Sequence, residues 1–113
     1  MAIIHFDTET HLFKPGYKAP RLVCLSLYNG SQKKLLLAKD SIEVFYEGLI
    51  KKVHYSGFHL QYDLGVILAY VYDNYPRSVY LEFIQTIFRH FENRLFSCGK
   101  LRERLIDIAN GTL

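Results

Sequence analysis

The sequence predicts an α/β domain on a mixed sheet, with elements in the order β-β-β-α-β-α. Three observations carry that expectation. An apolar, strand-forming run opens the chain, a hairpin signature follows at Asn29-Gly30, and two later segments space their apolar residues by three and four. With 113 residues, 50% of them hydrophobic, the chain can bury one modest core, so a single domain over residues 1–113 is expected.

Residues 2 to 8 read as a short, mostly apolar strand of the kind buried on both faces at the centre of a sheet. "HLFKPGYKAP" follows as a loop, punctuated by Pro15, Gly16 and Pro20. "RLVCLSLYNG" and "SQKKLLLAK" are two strands joined through Asn29-Gly30 into a hairpin. Asp40 then stands where a helix N-cap is expected, with Glu43 as the reciprocal partner of a capping box. Ile42, Phe45, Tyr46, Leu49, Ile50 and Val53 supply one buried face of that helix. "VHYSGFH" is a fourth strand, and Leu64, Ile67, Leu68, Val71 and Tyr72 mark a second helix that "DNYP" stops. A further helix over about residues 77–92 precedes a tail, "RLFSCGKLRERLIDIANGTL". The tail opens strand-like, turns at Gly99 and ends as a short amphipathic helix closed by Asn110-Gly111.

A formal charge of +3 permits contact with a polyanion without establishing it. Cys24 and Cys98 lie far apart, with no CxxC and no secretory leader, which points to a reduced, cytoplasmic protein. "VILAYVY" and similar runs are far shorter than a membrane span, so no membrane association is expected.

The chemistry begins in "IIHFDTETH". Side chains alternate along a strand, so Asp7 and Glu9 share one face and repel each other there. In "GFHLQYDLGVILA", Asp63 falls at a helix start. If the first and fourth strands are neighbours, that helix start stands over the carboxyl end of the first strand, and Asp63 can face both acids. Three converging carboxylates require protons or cations, and hard oxygen ligands suit Mg²⁺ or Mn²⁺. Two such ions about 4 Å apart form a clamp for phosphoryl chemistry.

Taken together, "FDTET" at 6–10, "LVCLSL" and "GFHLQYD" at 57–63 resemble the first two exonuclease motifs of the 3'-5' proofreading domain of family A DNA polymerases. The likeness is strongest to the phage and prophage members. The tail "NRLFSCGKLRERLIDIANGTL" is similar to the segment that follows the second motif in those polymerases. The order of three strands, a helix, a strand and further helix is also that of a ribonuclease H-like fold, here C-terminally truncated.

The resemblance implies a 3'-5' exonuclease domain that hydrolyses the 3'-terminal phosphodiester of single-stranded DNA with two Mg²⁺ or Mn²⁺ ions, releasing nucleoside monophosphates. It implies that Asp7, Glu9 and Asp63 are the catalytic metal ligands. Thr10 would meet the terminal nucleotide through its backbone, and Tyr62, His11 and Leu12 would border the 3' end by sequence-tolerant stacking. The host cytoplasm is the implied location of a phage-encoded protein.

The chain also departs from the family pattern. His59 stands where the second motif has Asn, and would either bind substrate by donating a hydrogen bond as that Asn does or mark relaxed constraint; Cys98, followed by Gly99, falls where the tail motif has the Asp of Asp-Thr. The third motif, with its fourth metal-binding Asp, has no counterpart before Leu113; Asp107 and Glu103 are poor substitutes for it. The resemblance therefore implies a partial domain, completed by a second chain or a polymerase domain.

Two other readings stand beside it: a catalytically impaired remnant or nucleic-acid-binding module associated with a polymerase, and an unrelated α/β interaction protein whose acids are incidental. His5, His54 and His90 read as ordinary structural or surface histidines, Cys98 as a small buried hydrophobe, and "KLRER" as a solvated helix face.

Overall fold

The computed structural model describes residues 3–10 and 21–98. Its elements are β1 (Ile3–Thr10), β2 (Leu22–Tyr28), β3 (Lys33–Leu37), α1 (Ala38–Ile50), β4 (His54–Gly57), α2 (Leu60–Asn74), α3 (Arg77–Glu92) and β5 (Phe96–Cys98). The expected order of strands and helices is present. His11, Leu12, the loop expected around Pro15 and the amphipathic helix expected beyond Cys98 lie outside the described residues.

The five strands form one mixed sheet in the order β3-β2-β1-β4-β5. β1, β2 and β3 run antiparallel as a meander, whereas β4 and β5 are parallel to β1 and reached through helices. At the turn between β2 and β3, the Asn29 side-chain oxygen accepts the backbone N–H groups of Ser31 at 3.0 Å and Gln32 at 2.8 Å. Gly30 supplies the positive φ of 99° that this turn requires. A sequence-local device therefore fixes the register of the hairpin, and β1 joins it with Phe6 opposite Leu27 and Thr8 opposite Leu25.

Those four residues are buried, and the helices pack over them. Phe45 of α1, Tyr55 of β4, Ile67 of α2 and Phe83 of α3 complete a core rich in aromatic contacts. The Phe45 and Tyr55 rings stack with centroids 4.6 Å apart, and the Tyr55 hydroxyl donates to the Phe45 carbonyl at 3.2 Å. Gly48 makes this approach possible, because a Cβ there would collide with the Tyr55 hydroxyl.

Three expectations need correction. β1 occupies the centre of the sheet yet alternates exposed and buried residues, because the described helices cover only the face that carries Phe6 and Thr8. The expected cap at Asp40 is absent: β3 runs straight into α1, Leu37 is the N-cap residue, and no side chain caps the helix. Asp40 lies within the first turn instead, where its charge complements the helix dipole. Ile50, expected on the buried face of α1, is exposed as its last residue, and Val53, expected on the same face, lies beyond the helix and is half-buried. By contrast, α2 ends as expected before Pro76, with Tyr75 driven to extended backbone at φ −125° and ψ 159°.

Candidate active site

The site forms where the pairing of β1 changes. β4 pairs with β1 only from Ile3 to His5, while β2 follows β1 as far as Thr10. Beyond His5 no pairing with β4 is made, and the first turn of α2 reaches β1 on the covered face of the sheet. The Thr8 hydroxyl donates to the Asp63 carboxylate at 2.6 Å, 55 residues away in sequence.

Asp63 is only 3% exposed. Burial raises the pKa of its carboxyl above the ordinary carboxylate range, and the negative charge of Asp7 pushes the same way. Hydrogen bonds from the Thr8 side chain and backbone, and the nearby charge of His59, oppose the rise. Burial dominates, so the environment resists a bare charge at Asp63. Asp7 and Glu9 differ in surroundings: both are exposed, and both lie on the sheet face opposite Thr8. They share a face, as alternation along the strand predicts, and a β-bulge between Glu9 and Thr10 ends the regular ladder just beyond them.

The arrangement thus brings together part of the expected set. Asp7 and Glu9 stand side by side, and Asp7 is close enough for its charge to act on Asp63. The Asp63 carboxylate, however, is turned to Thr8 on the helix side of the sheet. Among the described residues, no group of three His, Cys, Asp or Glu side chains is gathered as a metal cage. The exposed oxygens of Asp7 and Glu9 fit a hard divalent cation in chemical type. Asp63 would join them only by leaving Thr8.

A concavity of about 630 Å³ opens on the uncovered sheet face beside Asp7, lined by His5, Tyr28, Lys33, Phe58 and His59 among others. It sets aromatic surfaces and one cation next to a carboxylate. Phe58 and His59 meet edge to face at 4.8 Å at the mouth of α2. Tyr62 is 48% exposed on the first turn of α2, and Thr10 ends β1 opposite Leu22. Cys98, expected to be a buried filler, is half-buried and lies 3.6 Å from the Phe58 carbonyl. His90 is buried, and its Nε2 lies 2.7 Å from the Val53 carbonyl.

Thr8 is the site residue that sequence reasoning missed. It lies between the two acids and therefore on the other face, beside Phe6. A hydroxyl on a buried face needs a partner, and that requirement was the available signal. His5, Tyr28, Lys33 and Phe58 had no comparable signal, since their convergence depends on strand register.

No protein-family model matches the chain, and no curated protein or solved structure matches it either. Among the described residues, no helix is long and apolar enough to cross a membrane.

Proposed function

We propose that the chain is a 3'-5' exonuclease domain of the kind attached to family A DNA polymerases, with a ribonuclease H-like fold. Its substrate is the 3' end of single-stranded DNA. The carrying observation is the pairing of Asp7 and Glu9 on one open strand face. The strand order β3-β2-β1-β4-β5, with an antiparallel meander followed by parallel strands, supports the fold assignment.

In this reading Asp7 and Glu9 would hold a divalent cation, Mg²⁺ or Mn²⁺, and Asp63 would join them from the start of α2 by giving up its bond to Thr8. A cation held there would supply Lewis-acid activation of a water and stabilise the departing oxygen. The protein's own groups position the strand. Tyr62, exposed one residue before Asp63, offers a face to the terminal base, and the backbone of Thr10 meets the terminal nucleotide. His59 moderates the charge around Asp63. Phe58 and Tyr28 extend the stacking surface beyond the acids, and Lys33 offers a phosphate contact.

A second reading, a nucleic-acid-binding module without turnover, draws on one observation: Asp63 is committed to Thr8 rather than to the acids of the open face. Digestion of a 3'-labelled single strand with Mn²⁺ separates the two. The exonuclease reading predicts shortening from the 3' end that requires the metal and is lost in Asp7→Ala. No metal-dependent shortening sinks it, and retained DNA binding in the same samples then selects the second reading.

A further inference from the structure

Helix α3 carries two apolar faces. Phe83, Ile87 and His90 point into the core. Leu81, Ile84, Phe88 and Phe91 recur at intervals of three, four and three, which places them on a second stripe along the same helix. Among the described residues most of that stripe is exposed: Leu81 is 46%, Phe88 63% and Phe91 43% exposed, while Ile84 is half-buried and one side of the Phe91 ring meets Phe96 at 4.6 Å. Tyr72 of α2 borders it, its ring 5.1 Å from that of Tyr80. Isolated exposed apolar residues are ordinary, but a contiguous stripe with heptad spacing is how a helix meets another helix.

We propose that this stripe is the interface of a homodimer, in which α3 packs antiparallel against α3 of a second copy. Charge complementarity selects both the occupant and the direction. Arg77 at the start of α3 and Glu92 at its end are both exposed on the margin of the stripe. The one ion pair among the described residues, Lys51 with Glu47, involves neither. With a two-fold axis at the level of Thr86, Leu81 lies opposite Phe91 of the second copy and Ile84 opposite its Phe88. The same axis brings Arg77 of each copy within about one helical turn of Glu92 of the other. A parallel pair would set Arg77 against Arg77. An isologous interface makes every such contact twice, so one stripe serves both sides of the dimer. The dimer does not depend on the nuclease reading, since Asp7 and Glu9 lie on the opposite face of the sheet from the helices.

Sedimentation equilibrium of the full chain over a micromolar concentration series tests this. The expected result is a mass rising to twice that of the monomer. Phe88→Glu should weaken association at least tenfold while leaving the circular dichroism spectrum and cooperative melting intact, because the side chain lies outside the core. Arg77→Glu should weaken association, and adding Glu92→Arg to it should restore the wild-type constant. A wild-type chain that stays monomeric, whether its stripe is bare or covered by its own residues, overturns the proposal. So does a dimer that survives Phe88→Glu, or a double reversal that restores nothing.

Discussion

The two faces of the sheet use alternate residues of the same strand for opposite purposes. On the covered face, Phe6 and Thr8 are buried under the helices; on the open face, Asp7 and Glu9 stand in solvent between the same neighbours. A residue's place on one face or the other decides what a substitution there costs. The covered face holds the fold through packing and a buried hydrogen bond, while the open face is energetically cheap and free to carry charge. Asp63 is the exception, an acid of the candidate site that the covered face has recruited through Thr8.

The comparison breaks most visibly at Phe45, which is fully buried and touches the rings of Phe6, Tyr55 and Phe83. Phe45→Ala should cost about 3–5 kcal/mol in urea denaturation, enough to unfold a marginal domain. Asp7→Asn and Glu9→Gln should stay within about 0.5 kcal/mol of the parent in the same measurement. A large loss from either acid would erase the distinction between the faces.

Thr8→Val sharpens the contrast within a single strand. It keeps the shape of the side chain but leaves the buried Asp63 carboxylate without its hydroxyl donor, and should cost about 1–3 kcal/mol. If the change proves neutral, Thr8 does not anchor Asp63.

The smallest expected effect is a pH dependence at His90. A carbonyl can only accept, so the Nε2 that faces Val53 carries the proton of a neutral ring. Burial, chiefly, and the charge of His54 lower its pKa below the ordinary 6.5 against the opposing Val53 hydrogen bond. Below that value the unfolded chain binds the proton more readily than the folded one. Stability from this group is therefore complete above about pH 6.5 and is lost as the pH falls toward the lower folded value. His90→Gln, which retains an amide donor for Val53, should flatten the fall in melting temperature between pH 7 and pH 5. An unchanged slope would place the titration elsewhere.

These contrasts also show which features the sequence made legible. The hairpin was readable because Asn29 and Gly30 act locally, and the stop of α2 because Pro76 constrains its own neighbour. The shared face of Asp7 and Glu9 followed from strand alternation alone. The cap at Asp40 was misread because nothing in the sequence reveals that β3 enters α1 without a loop. The Thr8–Asp63 bond stayed hidden for a related reason: it depends on β4 ending at Gly57, so that the first turn of α2 begins over the covered face at the level of Thr8. Local chemistry was legible, whereas the partners supplied by strand length and register were not.

If Asp7, Glu9 and Asp63 act together on a divalent cation, Mn²⁺ titration followed by NMR will reveal it. The paramagnetic ion broadens the amide signals nearest to it. Broadening is expected to centre on Asp7 and Glu9, to extend to the first turn of α2 at Asp63, and to be lost in Asp7→Asn. Broadening confined to other parts of the chain, or none at these three residues at millimolar Mn²⁺, would contradict it.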